Sequence, residues 1–150
     1  MVSASASVAD ALRIPVGTKV RKLVRRRSSQ EGPVSYITTY FPEDLAHAFG
    51  RRELSKASVL QLLEASGVEL GRAQQMVSAR QADAVVATEL QVPVGTALLA
   101  VRRLVFDVND RPVQWLNGLY RPDRYEYQME ITQVGDIHAK ISVKENLPEV

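Results

Sequence analysis

An α+β domain is what this sequence predicts: an antiparallel sheet with helices on one face, built from two similar helix–hairpin halves. Two observations predict it. The segment Leu12–Val20 (LRIPVGTKV) returns at Leu90–Leu98 as LQVPVGTAL, with Leu, Pro, Val, Gly and Thr repeated. Each copy leads into an extended apolar and basic run, then into Pro-Val and a second run rich in aromatic and β-branched residues. Those second runs are Pro33–Phe41 (PVSYITTYF) and Pro112–Tyr120 (PVQWLNGLY). A spacing of roughly 80 residues is too long for a solenoid. It fits a duplicated helix–turn–hairpin unit whose two copies complete one sheet, and hairpins alternating with helices favour antiparallel pairing.

The elements follow from their end signals. Ser7 caps a short helix that runs to Leu12 and stops at the Pro15–Gly17 turn. Thr18–Ser28 reads as a strand, Gln30-Glu31-Gly32 as a turn and Val34–Phe41 as the return strand. Pro42 starts a helix with Glu43 and Asp44 near its positive end and Gly50 at its stop. Leu45, Ala48 and Phe49 of that helix take the i, i+3, i+4 spacing of a core-facing stripe. A second helix spans Lys56–Ser66, burying Val59, Leu60, Leu62 and Leu63 and ending at Gly67. Val68–Arg80 stays open: its Ala, Gln and Met favour helix, whereas flanking glycines allow a strand. Asp83–Leu90 is the repeat's counterpart of the opening helix. Ala97–Asp107, an Asn109-Asp110 turn and Val113–Arg121 form the second hairpin. Tyr125–Thr132 (YEYQMEIT) alternates apolar and polar residues as a last antiparallel strand, one that needs a partner if it lies at an edge. Residues 1–134 are thus the folded domain, and the polar segment 135–150 is read as a loose tail.

Composition narrows the class. A chain of 150 residues is a typical single domain, and 45% hydrophobic with 24% charged residues is ordinary for a globular one. With no cysteine there is no disulfide framework and no thiolate nucleophile or metal ligand. The opening MVSASASVAD lacks the basic start and apolar core of an export signal, and no long apolar span follows, so a soluble cytoplasmic protein is expected. A formal net charge of +2 writes no long-range attraction to nucleic acid into the composition.

The basic residues are nonetheless uneven, since every charged side chain from Arg13 to Arg27 is Lys or Arg. Alternate side chains of a strand point to opposite faces, so Arg25 and Arg27 share one face and Arg26 takes the other. A solvated strand face, a small-anion pocket and a phosphate-contacting nucleic-acid surface remain open, the last lacking a recognition helix. Catalytic signals are weak. His47 and His138 have no metal-ligand spacing around them, and no GxSxG, GxxxxGK[ST] or GxGxxG occurs. Glu43, Asp44 and Glu53 read as helix-start or exposed charges rather than a paired acid and base. No metal, cofactor or catalytic residue is expected.

In order, the segments ADALRIPVG, TTYFPEDL, SVLQLLEASGVEL, ARQADAVVATELQVPVGTALLAVRRLVFDVNDRPVQW and YRPDRYEYQMEI resemble the UTRA domain. That is the effector-sensing domain of HutC-type regulators in the GntR family, and it has the chorismate-lyase-like fold. The resemblance runs from about Val8 to Val134. It implies an intracellular domain that binds a small metabolite, dimerises, and passes the result to an N-terminal winged helix-turn-helix that holds DNA. Ahead of Ala11 there is space for one short helix only. DNA contact is therefore expected only through a winged helix-turn-helix absent from this chain. The family's opening strand is expected to be missing or replaced by MVSASAS.

The resemblance also implies a site. Members that sense a phosphosugar hold its phosphate with two arginines alternating on the first hairpin and a Ser at the following helix start; these fall on Arg25, Arg27 and Ser58. Tyr120 matches a ligand-facing tyrosine of the second hairpin, and Arg103 occupies the position corresponding to Arg25 in the second repeat. Two guanidiniums on one face with a helix-start hydroxyl make coherent anion chemistry. The departures redirect the ligand. Ile37 and Gln114 stand where those sensors carry a Glu for the sugar hydroxyls, and Leu60 where they carry a Tyr. Loss of both carboxylates argues against a sugar held in that manner. Ile37, Leu60, Trp115 and Tyr120 suit a more apolar acid, or serve as plain core. Asp123 and Arg124 are read as a local salt bridge at the strand entry. Three functions follow: a sensor of an anionic metabolite acting as a homodimer, a chorismate-lyase-like enzyme using Glu126 or Glu130, and a pure dimerisation module with a filled pocket.

Overall fold

The computed structural model of the chain describes residues 1–131 and the strand Ile141–Glu145. The first half runs β1 (Val2–Ser3), α1 (Ala6–Leu12), β2 (Lys19–Ser29) and β3 (Gly32–Pro42). A 3-10 turn (Glu43–Ala48), α2 (Arg51–Leu54) and α3 (Val59–Ala65) connect it to the second half. That half repeats the order as β4 (Leu70–Gln81), α4 (Ala84–Leu90), β5 (Ala97–Asp107) and β6 (Pro112–Tyr120), before β7 (Tyr127–Ile131) and β8 (Ile141–Glu145). Six strands form one sheet in the order β1-β2-β3-β6-β5-β4, while β7 and β8 pair separately. Each half therefore supplies three adjacent strands in mirrored order, as a duplicated unit should. The class is α+β with a mostly antiparallel sheet: β1 with β2 and β7 with β8 run antiparallel, and short turns fold each hairpin back.

Duplication reaches individual hydrogen bonds. Ser5 caps α1 and Asp83 caps α4, each side chain accepting from the backbone N–H three residues on. Both helices end on a left-handed residue, Arg13 at φ 55° and Gln91 at φ 56°. In the two Pro-Val-Gly-Thr turns, the Thr18 and Thr96 hydroxyls donate to the Pro15 and Pro93 carbonyls at 2.7 Å. Gly17 and Gly95 sit at φ 87° and 88° with no atom within 4 Å of an added Cβ. Only backbone strain then opposes a side chain. Gly17→Ala and Gly95→Ala should each destabilise the chain by roughly 1–2 kcal/mol, equally, in urea unfolding. Unequal losses would mean that the two turns are not equivalent.

Several boundaries move from their expected places. Ser5, rather than Ser7, caps the first helix, because Ala4 is pinned by its N–H to the Thr18 carbonyl at 2.8 Å. Val2 and Ser3 do form a short opening strand, opposite Val20 and Lys19. Pro42 ends β3 with extended backbone, only a 3-10 turn follows it, and Gly50 opens α2 instead of stopping a helix. The cause is Phe49, which leaves helical geometry to stack on Phe41 with ring centroids 3.9 Å apart. The helix expected over Lys56–Ser66 shortens to α3, since Ser58 and Gln61 cap it reciprocally. The ambiguous Val68–Arg80 becomes β4. Its backbone passes so near β5 that a Cβ on Gly71 would meet the Asp107 carbonyl at 2.6 Å. Such close backbone approach outweighs the helix propensity of Ala, Gln and Met. Within the segment read as a tail, Ile141–Glu145 pairs with β7 and so supplies the partner that strand needed. His138 lies outside the described residues.

The chain divides into two compact units: Met1–Arg25, Ile37–Ser78 and Val101–Gly118 in the first, and Arg26–Tyr36, Ala79–Ala100 and Leu119–Val150 in the second. The first unit holds two apolar clusters. Leu23, Phe41 and Val105 join the cluster beneath the 3-10 turn and α3, with Leu45, Phe49 and Leu63. Tyr40 and Leu104 join the cluster of α1, with Val8, Leu12 and Val20. Consecutive strand residues face opposite ways, so Tyr40/Phe41 and Leu104/Val105 place α1 and α3 on opposite faces. Helices gathered on one face were expected; here they divide, because apolar residues occupy both parities of β3 and β5 and each face needs cover. In the second unit α4 buries Val86, Ala87 and Leu90 against Ala82 and Leu98, with Tyr36 and Leu119 packed on them.

Ion pairs tie the turns to this frame. Arg111 of the second hairpin turn donates to both carboxylate oxygens of Asp44, at 2.6 and 3.0 Å. That hydrogen bond holds the Asp44 carboxyl below its ordinary value. A depressed folded-state pKa stabilises above the unfolded value of 3.8 and ceases to do so as pH falls through the folded value. Stability should therefore drop below about pH 4, and Asp44→Asn should flatten part of that slope. Both side chains are well exposed, so solvent screening keeps the contribution below about 1 kcal/mol. An unchanged acid limb in Asp44→Asn would remove the pair from the account. Asp123 pairs with Arg121 at 2.7 Å rather than with Arg124, which donates to the Pro33 carbonyl at 3.0 Å.

Candidate functional site

Strand parity decides which side chains face inward. In the first unit, Leu23, Phe41 and Val105 mark the face covered by the 3-10 turn and α3. Arg25, Ile37 and Arg103 share their parity on β2, β3 and β5, so they line that same face. Gln114 stands between Val113, which joins the α3-side cluster, and Trp115, which packs on the α1 cluster. Arg103 donates from Nε to Gln75 Oε1 at 2.7 Å. Gln114 is 3% exposed, and its Oε1 has no hydrogen-bond partner among the described residues. A buried acceptor left unpaired costs roughly 1–3 kcal/mol, so a donor is called for there.

Ser58 stands at the start of α3. Its hydroxyl accepts from Gln61 N–H at 3.2 Å, and its own N–H donates to Gln61 Oε1 at 2.9 Å. The capping box leaves the hydroxyl proton, not the backbone N–H, to meet a ligand. Leu60 is 38% exposed and stands apart from the cluster that Val59 and Leu62 join.

The second unit brings together Arg27 and Tyr120, along with two residues that sequence reasoning did not select. Arg26 lies 3.9 Å from Glu89 of α4, and Tyr36 and Leu119 pack on α4's cluster. Their strand neighbours Arg27, Ser35 and Tyr120 therefore face the opposite side, on the adjacent strands β2, β3 and β6. All three are buried: Arg27 is 6%, Ser35 0% and Tyr120 2% exposed. Tyr120 stacks on buried Tyr125, with centroids 4.3 Å apart. The Ser35 hydroxyl has no hydrogen-bond partner among the described residues. Ser35 could have been found from the alternation of β3, where it takes an inward place in line with Ile37 and Phe41. Its small size hid it.

Among the described residues, the charged groups of the 3-10 turn are engaged locally. Asp44 is committed to Arg111, and His47 Nδ1 contacts the Asp44 carbonyl at 3.1 Å. Among the described residues no cluster of His, Asp and Glu could hold a metal ion. Glu130 is exposed on β7. No helix of the described residues is long and apolar enough to cross a membrane, and no α-helix among them exceeds seven residues. What the arrangement offers is recognition: buried cationic, hydroxyl, phenol and amide groups on inward sheet faces.

This is the architecture of a ligand-binding domain of transcription regulators. The ligand-binding domain of a protein described as a GntR-family transcriptional regulator from Bordetella bronchiseptica matches with a TM-score of 0.77 at 30% identity, over 85% of this chain and 82% of that one. A GntR-family regulator from Enterococcus faecalis V583 matches with a TM-score of 0.77 at 25% identity, over 85% of this chain and 92% of that one. In sequence, the probable transcriptional regulator PhnF of Escherichia coli is 34% identical over 129 residues, which is 85% of this chain and 53% of PhnF. The chain spans about half the length of the curated relatives it matches. Residues 1–126 match the UTRA domain model, and the chain belongs to that family, the effector-binding domain of GntR-type regulators.

Proposed function

We propose that this chain senses a small anionic metabolite as the homodimeric effector domain of a bacterial, cytoplasmic regulator of the HutC type, without enzymatic activity. DNA is contacted by a separate winged helix-turn-helix of the same regulator. The observation that carries the reading is Arg27, a guanidinium buried on the sheet face to which alternation also assigns the buried Ser35 and Tyr120. A bidentate guanidinium–anion contact is among the stronger hydrogen-bonded pairs, and low local dielectric strengthens it. In the first unit, taken by itself, Arg25, Ile37 and Arg103 lie on the α3-facing side, Ser58 adds a hydroxyl, Leu60 is exposed on α3, and buried Gln114 has an acceptor without a partner among the described residues. In the second unit, Tyr120 adds a buried aromatic surface to the face of Arg27. A carboxylate or phosphate attached to an apolar body fits the second unit's set of Arg27, Ser35 and Tyr120.

Homodimerisation is supported by β4, which ends the strand order and has every residue but Leu70 and Gln75 exposed. A strand open on both faces and at its outer edge is usually covered in the working assembly. Ligand then acts by preferring one of two dimer geometries, and it can shift them only by its differential affinity. The test is a thermal-shift screen of carboxylates and phosphosugars on the purified chain. Binders that raise the melting temperature support the reading, and no binder at millimolar concentration overturns it. Release of pyruvate from chorismate would overturn the non-enzymatic part.

A further inference from the structure

We infer that the Ser35 hydroxyl is a ligand-binding group, hydrogen-bonded to the anionic head of the effector that Arg27 holds. The inference rests on the anion-sensing reading and adds to it a residue outside the set implied by resemblance. Three facts support it within the second unit. Ser35 is fully buried on β3, yet its oxygen meets no donor or acceptor among the described residues. It faces away from α4, because its neighbour Tyr36 packs on the α4 cluster. Arg27 and Tyr120 present buried polar groups on that same face from the strands that flank β3.

The residue type matters. A purely structural strand position of zero exposure takes an apolar side chain, as Val34 does one residue earlier. A buried hydroxyl persists where something satisfies it. Serine can donate to an anion's oxygen and rotate to suit it, whereas the guanidinium supplies charge. Ser35 therefore contributes geometry to a site whose attraction comes from Arg27.

The experiment titrates the full chain with inorganic phosphate and, separately, with benzoate, reading heat of binding and melting temperature. At least one probe should bind the wild type. Ser35→Ala should weaken that binding by about tenfold, as loss of one hydrogen bond to a charged group does. Ser35→Cys, nearly isosteric but a poor hydrogen bonder, should weaken it similarly. The melting temperature without ligand should stay level or rise in Ser35→Ala, because the truncation removes an unsatisfied buried hydroxyl. A structural water would satisfy Ser35 equally in all states. In that case both variants bind as the wild type does, and the inference is overturned while the anion-sensing reading stands. If neither probe binds the wild type, both fall together.

Discussion

Arg27→Ala is expected to abolish the rise in melting temperature that an anionic ligand produces in the wild type. The side chain is buried, so its guanidinium meets a bound anion with little screening by solvent. Removing one partner of a buried, hydrogen-bonded charge pair costs about 2–5 kcal/mol. Affinity should fall by roughly thirty-fold to several thousand-fold, at 1.4 kcal/mol for each factor of ten. Stabilisation by ligand scales with the logarithm of its concentration over Kd, so a screen at fixed concentration would read the shift as gone. Arg26→Ala is the control, since that side chain is exposed and lies near Glu89 on the α4 side. It should leave the shift intact. Equal shifts in wild type and Arg27→Ala would remove Arg27 from the site. Loss in Arg26→Ala but not in Arg27→Ala would invert the assignment of strand faces.

Phe41→Ala is expected to be the most destabilising single change in the first unit. Phe41 is fully buried, stacks on Phe49 and lies in the cluster that the 3-10 turn and α3 cover. Truncating a buried Phe to Ala costs about 3–5 kcal/mol, the transfer of the ring plus the cavity it leaves. Against a total of roughly 5–15 kcal/mol for a native domain, that is a large fraction. Equilibrium urea unfolding should show a much lower midpoint with an unchanged slope. Phe41→Leu, which keeps most of the volume, should lose much less. A loss below about 1 kcal/mol in Phe41→Ala would mean that the ring is not enclosed as described.

Much of the fold was legible in the chain because its signals are local. The repeated Pro-Val-Gly-Thr turn, the strand Ala97–Asp107 and the helix expected over Asp83–Leu90 appear where turn chemistry and periodicity place them, with Asp83 serving as the helix's cap and Ala84 as its first residue. Where Phe49 pulled the backbone out of a helix, the reading failed, since its partner Phe41 is on a strand and periodicity cannot see that contact. The segment that became β4 was open for the same reason: its conformation is decided by the strand beside it. At the candidate site, alternation alone put Arg25 and Arg27 on one face. It could not say that Ser35 would be buried without a partner, or that Leu60 would stand largely outside the core.

Read alone, the 150 residues establish a doubled helix–hairpin plan, its repeated turns, and the family to which the chain belongs. All of these are written in short stretches of neighbouring residues, whose steric and hydrogen-bonding preferences act within a few positions. Division of the helices between two sheet faces, the shortening of α3 and the burial of Arg27, Ser35 and Gln114 came from the folded chain. Those depend on which distant segments cover a given strand. Solvent exclusion is a property of all the covering atoms at once, and no local stretch of sequence contains them.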